Sequence, residues 1–358
     1  MSEQFHANRD ASGMSGALLL GSARCGSTLI SAMLRSHPEV LSLSECFAMI
    51  GPRAFRPARC DGASFWRALS EPLPGMSRIG NPDNAPDEFL YHLTPDPRHD
   101  PWRCPPLLAI TLPHLETNPD AAFADLRPQL ANRPDGPLAD HYLTLFRALA
   151  ARQDPAPNVW AERSGGSLAA AGTLRRMFPK ARLIVLLRAG ADTALSLRDY
   201  PPGRLAIWLW KHGFGLLDPI SPKRHLGRGA VWPLLARVGG GLPLGAILRH
   251  RPTLRDCGRF WSALMQRGEA ALTDHPITTL RHEDLLADPL AGAHALGMAV
   301  AGTAPERWLL QARQLPQRRP SRVDRLSTAE AEVLINACAP GEAAAARLHQ
   351  RGCAQRDC

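Results

Sequence analysis

The feature that most constrains the fold is a glycine-rich loop between a short apolar run and an amphipathic segment near the start of the chain. Ala17–Leu20 is apolar and ends at Gly21, as a buried strand does. Thr28–Arg35 then has apolar residues at helical spacing, and a His-Pro pair ends this predicted helix. The loop between them fits the pattern G-x4-G-x-[ST]. A strand, a glycine loop and a helix in this order direct backbone N–H groups and the helix dipole toward an anion.

The rest of the chain continues the alternation of strands and helices. We predict further strands at Val40–Leu43, Val159–Glu162, Leu183–Leu187 and Ile277–Leu280, and helices at Leu168–Phe178 and Asp192–Arg198. The five consecutive apolar residues at Leu183–Leu187 are typical of a strand that is covered on both faces. The pattern predicts an α/β fold, a P-loop-type three-layer sandwich with a central parallel sheet.

Length and composition favour one domain with a long insertion. We expect a disordered tail over 1–15 and a single domain over 16–350, because a chain of 358 residues, 45% hydrophobic, can build one large core. Many of the 33 prolines lie between 51 and 157, which we interpret as a Pro-rich insertion over the sheet and the region that contacts a substrate. It contains predicted helices at Asp120–Leu130 and Ala139–Arg152, whereas Phe214–Leu248 is rich in Gly, Pro and Arg and has no predicted element.

Charge and cysteine content restrict the classes of ligand. A net charge of +9 fits an anionic ligand such as a nucleotide, a nucleic acid or a membrane surface. The sequence has no aromatic-plus-basic RNA-binding signature and no zinc-finger spacing, which argues against nucleic acid. The eight cysteines include no CxxC pair, so no metal site of that type is predicted. Without a signal peptide pattern or an apolar run of membrane-spanning length, we expect a cytoplasmic protein with no membrane span.

The glycine loop differs from that of nucleoside triphosphatases, which require lysine directly after the second glycine. Ser27 stands at that position, and the cation of the loop is Arg24. We therefore expect the loop to bind a phosphate or sulfate ester, without Mg²⁺ between β and γ phosphates.

Gly21–Ile30 resembles the 5′-phosphosulfate loop of sulfotransferases that use 3′-phosphoadenosine 5′-phosphosulfate (PAPS), especially bacterial and tyrosylprotein members. That loop typically reads G-x-P-R-S-G-T-T-L, and the resemblance continues to the His-Pro-Glu-Val segment after the helix. Ala23, Cys25 and Ser27 replace the usual Pro, Ser and Thr. Because all three are small, we expect the loop backbone to keep its path.

A second and a third segment extend this resemblance. Phe178–Arg182, the apolar strand, Arg188 and Ser196 resemble the family's 3′-phosphate element, in which the Arg and the Ser hold the 3′-phosphate. Arginine suits this role because its planar fork can donate two bonds to phosphate oxygens. Thr279–Leu285, followed by Asp288-Pro289, resembles the family's late R-Y-E-D-L segment, whose acids we expect to cap the next helix.

The resemblance implies a sulfotransferase that moves the sulfuryl group of PAPS to a hydroxyl or amine, releases 3′,5′-bisphosphoadenosine (PAP) and needs no metal. The acceptor class stays open among a small molecule, a saccharide and a peptide. The residues expected to bind the nucleotide are Arg24, Cys25, Gly26, Ser27, Thr28, Arg188 and Ser196, and the expected catalytic residues are Glu45, Arg24 and Arg163. A P-loop kinase and an inactive nucleotide-binding protein are the alternative functions.

Glu45 is the candidate general base. It lies just past the second predicted strand, at the carboxyl edge where such sheets bind ligands. It also follows Arg24 by 21 residues, the spacing of the catalytic Glu in tyrosylprotein-type members. His114 and His212 are the alternative bases, as in cytosolic animal members. Arg163 stands where many members have a Lys after a Trp-led strand, and the expected role of Arg163 is to bridge the sulfuryl oxygens.

Two further groups of residues complete the list of candidates. Trp208 and Trp210 are interpreted as packing residues rather than an adenine stack. Arg318, Arg319 and Ser321, in a basic C-terminal stretch, are interpreted as a solvated face, with closure over the nucleotide as the alternative.

Overall fold

The central sheet is built from five parallel strands. The computed structural model describes residues 13–85, 87–241 and 244–354. The five strands of the central sheet are β1 (Ser15–Gly21), β2 (Val40–Ser44), β5 (Val159–Arg163), β6 (Arg182–Leu187) and β7 (Thr278–Arg281). Two further strands, β3 (Arg59–Cys60) and β4 (Gly136–Pro137), lie outside this sheet. The sheet order is β2-β5-β1-β6-β7, every neighbouring pair is parallel, and β3 and β4 form a separate antiparallel pair. Each strand of the sheet lies within two residues of its predicted position.

Helices cover both faces of this sheet. In the middle strand β1, Leu18 and Leu20 belong to one apolar cluster, whereas Ala17 and Leu19 belong to another. Successive side chains of a strand point to opposite faces, so the two clusters are the two layers between sheet and helices. The predicted three-layer α/β sandwich with a central parallel sheet is confirmed.

The helices of the described residues follow in chain order. They are α1 (Ser27–Arg35), α2 (Cys46–Ile50), α3 (Gly62–Ser70), α4 (Pro74–Ile79), α5 (Pro106–Ala109), α6 (Thr111–Leu115), α7 (Pro119–Ala131), α8 (Leu138–Ala150), α9 (Ala171–Met177), α10 (Gly190–Asp199), α11 (Pro201–His212), α12 (Trp232–Val238), α13 (Gly245–Arg249), α14 (Leu254–Ala271), α15 (His282–Ala287), α16 (Pro289–Val300), α17 (Glu306–Ala312) and α18 (Thr328–Ala354). Short 3₁₀ turns occur at Gly51–Arg53, Tyr91–Leu93, Ser167–Ala170, Gly239–Gly241 and Val323–Arg325.

The Pro-rich insertion shares its core with one face of the sheet. Phe65 of α3, Leu126 of α7 and Leu145 of α8 belong to the same apolar cluster as Leu18 of β1. The two helices predicted within the insertion are present as α7 and α8. A cluster common to both parts means that hydrophobic burial anchors the insertion to this face of the sheet.

The glycine-rich segment 214–248, for which the sequence predicts no element, forms the two short helices α12 and α13 with turns before and between them. Helix α12 packs against α4 of the insertion so closely that a Cβ on Gly75 would lie 2.9 Å from the carbonyl oxygen of Ala236. The two segments that the sequence leaves least defined are therefore in contact.

The chain ends of the described region pack on the same core. The predicted tail, 1–15, lies outside the described residues except for its last three, of which Ser15 already belongs to β1. At the other end, α18 packs along α14, where the Ser262 hydroxyl donates to Ala337 O at 2.8 Å and accepts from Gly341 N–H at 3.1 Å. Within 13–85, 87–241 and 244–354, no helix combines the length and apolar character needed to cross a membrane.

Candidate active site

The start of the glycine loop between β1 and α1 is fixed by hydrogen bonds to the Ser167 side chain. Gly21 N–H donates to the Ser167 hydroxyl at 3.2 Å, and that hydroxyl donates to Leu19 O at 3.2 Å. The Cys25 side chain turns under the loop into the core, where a Cβ on Gly21 would lie 2.6 Å from its sulfur. Burial raises the pKa of the Cys25 thiol, against the opposing charge of Arg163. The Cys25 thiol is therefore not activated, and Cys25, a predicted nucleotide-binding residue, does not line the cavity above the loop, whereas Arg24 and Gly26 on either side of it do.

The loop ends at a glycine that no other residue can replace without strain. Gly26 has φ +88° at the N-cap of α1, and a Cβ there would lie 2.3 Å from Nδ1 of His282. Among the described residues, no side chain caps this helix terminus. The N–H groups of its first turn, beginning at Ser27 and Thr28, are thus directed at the cavity above the loop, as an anion site requires.

The backbone path before Gly26 differs from the expected one. Ala23 and Arg24 have φ values of +61° and +55°, in the left-handed region. Proline, the usual residue of the family at the position of Ala23, is restricted to φ near −65°. The expectation that the loop keeps its path despite this substitution is therefore wrong, because a proline ring is incompatible with the conformation seen here.

The two sequence-distant phosphate elements meet at this loop. Arg188, at the end of β6, donates from its guanidinium to Arg24 O at 3.0 Å. Arg24 in turn donates from Nε to the hydroxyl of Ser196 on α10 at 3.2 Å. Arg24, Arg188 and Ser196 line the same cavity. Two cations, one hydroxyl and a helix terminus therefore line one end of the same cavity.

A carboxylate that the sequence analysis missed also lies here. Glu88, from the Pro-rich insertion, forms an ion pair with Arg24 and accepts from the Tyr200 hydroxyl at 2.9 Å. The Tyr200 ring lies 4.9 Å from the Arg24 guanidinium carbon. An anion bound at Arg24 must compete with Glu88. No local pattern marks Glu88 in the sequence, because only a tertiary contact brings it to the loop.

Glu45 occupies the N-cap position of α2 in a left-handed conformation, with φ +56°. Its carboxylate forms an ion pair with Arg163 and accepts from Gly165 N–H at 2.8 Å. Burial raises the pKa of Glu45, and the positive charge of Arg163 opposes that rise. Although the side chain is about 10% exposed, it lines the cavity, so a ligand can reach it.

Hydrogen bonds and an ion pair fix the side chain of Arg163 in the lining of the cavity. Its guanidinium donates to the Ser31 hydroxyl at 2.8 Å and to the Ser44 hydroxyl at 2.6 Å, in addition to Glu45. Its neighbour Glu162 is fully buried, and burial and the charge of Glu45 raise the pKa of Glu162 to about 8 despite a hydrogen bond from a serine hydroxyl. The raised pKa of Glu162 favours its neutral form, and Arg163 forms its ion pair with Glu45.

The alternative histidine bases lie elsewhere. His114 is buried, its imidazole 3.5 Å from the Ser42 hydroxyl, and burial together with Arg35 and Arg163 lowers its pKa to about 3. His212 is exposed at the end of α11. Neither residue lines the cavity that contains Glu45, whereas His225, which the sequence analysis did not consider, does.

The remaining sequence candidates have structural contacts. Trp208 lines the cavity, and Trp210 packs edge-on against Phe260 with ring centroids 5.8 Å apart. Arg318 donates to the carbonyls of Leu286 and Ala287, both at 3.1 Å, away from the cavity lining.

Arg319, Ser321 and the late acidic segment also lie apart from the residues expected to bind the nucleotide. Ser321 donates to Asp192, and Arg319 is exposed. Asp288 caps α16 as expected, accepting from two N–H groups of its first turn. Glu283 instead accepts from Ala189 N–H at 2.8 Å and so fixes the loop that follows Arg188.

One cavity of about 730 Å³ contains the site. The predicted site residues that line it are Arg24, Gly26, Ser27, Thr28, Glu45, Arg163, Arg188 and Ser196. Three loops at the carboxyl ends of β1, β2 and β6 supply most of them, as expected for a parallel sheet. In the described parts of the chain, no group of three or more His, Cys, Asp and Glu side chains is arranged to hold a metal ion.

Comparisons with known proteins add a likeness in structure alone. No protein-family model matches the chain, and no curated protein matches it. Among solved structures, the chain is similar to the crystal structure of the sulfotransferase STF9 from Mycobacterium avium, with a TM-score of 0.41 and 14% sequence identity, over 93% of this chain and 80% of that one. The assignment of a function therefore depends on the residues of the site itself.

Proposed function

We propose that this protein is a PAPS-dependent sulfotransferase that transfers a sulfuryl group to a hydroxyl or amine of its acceptor. The observation that carries the proposal is the convergence of Arg24, Arg188 and Ser196. Arg24 contacts Arg188, which is 164 residues away in the sequence, and Ser196, which is 172 residues away. In the resemblance drawn from the sequence, the first loop takes the 5′-phosphosulfate and the second element takes the 3′-phosphate. Their proximity supports one nucleotide spanning both.

The donor set suits such a nucleotide. The N–H groups at the start of α1 and the guanidinium of Arg24 would hold the 5′-phosphosulfate, and Arg188 with Ser196 would hold the 3′-phosphate. Glu88 has to release Arg24 when the anion binds.

Sulfuryl transfer is an in-line displacement at sulfur, so the protein has to position two reactants and stabilise charge on the oxygens. Glu45 is the proposed base for the acceptor proton, and its burial supports this role because a raised pKa brings a carboxylate closer to neutral pH. Arg163, fixed by two serine hydroxyls, keeps Glu45 in place and supplies positive charge beside the sulfuryl group.

A kinase of the P-loop class is the competing function. Ser27 occupies the position of the lysine that binds β and γ phosphates in that class, which disfavours it. An inactive nucleotide-binding protein is the second alternative, and the ion pair of Glu45 with Arg163 inside the cavity argues against it because an unused buried pair is costly to keep.

The test is calorimetric binding of PAP in the presence of EDTA. We expect binding, and we expect Arg188→Ala to weaken it by about 1.5–3 kcal/mol, the range for hydrogen bonds to charged groups. The matched control is Arg318→Ala, which removes an exposed arginine outside the cavity and should leave PAP affinity unchanged. Equal affinity for PAP and adenosine 5′-monophosphate would contradict the 3′-phosphate assignment, and ATP-dependent phosphorylation would favour the kinase.

A further inference from the structure

The cavity has a second part whose lining differs from the phosphate end. All of the arginine and glutamate side chains in the lining lie at the phosphate end, namely Arg24, Glu45, Glu88, Arg163 and Arg188. Beyond them and the hydroxyl side chains beside them, the lining formed by described residues is apolar apart from His225. We call this part the apolar chamber, and its walls include Phe55, Met76, Leu205, Trp208, Trp232 and Phe260.

His225 does not bring a charge into the chamber. Its Nε2 lies 3.2 Å from the Thr173 hydroxyl, and burial lowers its pKa to about 4, with Arg228 and Arg176 acting in the same direction. At neutral pH the imidazole is uncharged. A ligand with a charged body would find no counter-ion here, and burying an unpaired charge costs several kcal/mol.

An aromatic wall connects the chamber to the candidate base. Phe47 follows Glu45 by two residues on α2, and its ring centroid lies 5.2 Å from that of Phe55. The Phe55 ring in turn lies 5.6 Å from the His225 ring. A continuous row of rings therefore runs from the helix that Glu45 caps to His225.

The chamber is built where three segments meet against α14, the helix that supplies Phe260. The Pro-rich insertion contributes Met76, helix α11 contributes Trp208, and segment 214–248 contributes Trp232. Close packing of Gly75 against Ala236 closes the insertion onto the last of these segments. The whole cavity, about 730 Å³, lies within the range of roughly 300–1,000 Å³ that is usual for small-molecule sites.

We propose that the acceptor is an uncharged, largely apolar alcohol whose hydrocarbon body lies in the apolar chamber and whose hydroxyl reaches Glu45. This proposal rests on the proposed function. In the reaction, the acceptor oxygen forms a bond to the sulfur of PAPS, and the bond between that sulfur and the 5′-phosphate oxygen breaks. The electron pair of the broken bond stays on PAP, the acceptor proton passes to the Glu45 carboxylate, and a sulfate ester is released.

The first experiment measures occupancy of the chamber without any transfer. The probe is N-phenyl-1-naphthylamine, an uncharged apolar fluorophore whose emission rises in apolar surroundings. We expect it to bind the full chain and to be displaced by n-alkanols from butanol to dodecanol. Displacement should improve about fourfold for each added methylene until the chamber is filled, the factor that corresponds to about 0.8 kcal/mol per buried CH₂.

The second experiment uses the same alkanols as acceptors with radiolabelled PAPS, and kcat/KM should follow the same dependence on chain length. Ala206→Phe places a ring in the chamber from α11 and should reduce both probe binding and octanol sulfation by about tenfold or more, equivalent to about two lost methylenes. Trp208→Ala enlarges the chamber and should move the optimum to longer alkanols. The matched control, Ala343→Phe on the exposed face of α18, should change neither property.

The outcomes separate the two proposals. PAP binding together with sulfation of a saccharide or a tyrosine peptide, and no effect of alkanols, would overturn the apolar acceptor and keep the sulfotransferase. Displacement of the probe by alkanols without PAP binding would overturn the sulfotransferase and keep the apolar ligand. Retained PAP affinity shows that Ala206→Phe is folded, and if this variant then sulfates octanol like the wild type, the chamber does not hold the acceptor.

Discussion

Replacement of Glu45 by glutamine separates the structural role of this residue from its proposed catalytic role. The amide has nearly the size of the carboxyl, and its oxygen can still accept from Gly165 N–H, now 2.8 Å from the carboxylate. It cannot pair with the charge of Arg163 and cannot take a proton from the acceptor. Glu45→Gln should therefore reduce both stability and turnover, for different reasons.

The loss of stability can be estimated from the contacts of Arg163. Removing one partner of a buried ion pair typically costs about 3–5 kcal/mol, because the other charge is left uncompensated. Arg163 keeps its hydrogen bonds to Ser31 and Ser44 at 2.8 and 2.6 Å, so we expect the lower end, about 3 kcal/mol. Urea denaturation measures this difference. Adding Arg163→Met to Glu45→Gln removes the unpaired charge and should restore part of the stability.

The loss of turnover should be about 10²–10⁴-fold, the usual contribution of a general base, with PAP affinity unchanged. The acidic limb of the pH–rate profile, which follows the ionisation of Glu45 in the wild type, should disappear in Glu45→Gln. Burial raises the pKa of Glu45, so this limb should lie above the ordinary carboxyl range. A folded Glu45→Gln variant with a rate within a few-fold of the wild type would refute the assignment of the base.

Three further predictions concern the surroundings of the site. Glu88→Gln should tighten PAP binding by about 1.5–5-fold in calorimetry, since it frees Arg24 from a partly exposed ion pair worth about 0.2–1 kcal/mol. Gly26→Ala should lower the free energy of unfolding by more than about 1–2 kcal/mol, the cost of a left-handed alanine, and adding His282→Ala should recover only the part due to the clash. Glu162 has its pKa raised from 4.5 to about 8, so its contribution to stability is present at low pH and is lost as pH rises through this range; Glu162→Gln should lack this fall.

Each of these has an outcome that contradicts it. Weaker PAP binding by Glu88→Gln would mean that Glu88 orients Arg24 for the ligand rather than competing with the ligand. Full recovery of Gly26→Ala by His282→Ala, measured against His282→Ala alone, would mean that φ at Gly26 is not strained. Parallel urea stability curves of wild type and Glu162→Gln between pH 5 and pH 8 would show that folding does not raise the pKa of Glu162.

The sheet and the loop were accessible to sequence reasoning because they depend on local patterns. A run such as Leu183–Leu187 reports burial on both faces through its own composition, and the strand, loop and helix around Gly21–Thr28 are continuous in sequence. The proximity of Arg188 and Ser196 to Arg24 was also expected, from the resemblance of two separated motifs. Hydrophobic periodicity and short motifs are properties of neighbouring residues, so they can be recognised before the fold is known.

Only the tertiary structure decided which residues outside these motifs contact the phosphate loop. Glu88 reaches Arg24 from a Pro-rich segment, and the apolar chamber joins three segments that have no common pattern. The tertiary structure also decided the left-handed backbone at Ala23, since an alanine in the sequence is compatible with either a left-handed or a proline-like φ. The physical reason is that the pairing of distant segments depends on how their apolar faces fit over the sheet, and this fit is a property of the assembled core rather than of any one stretch of chain.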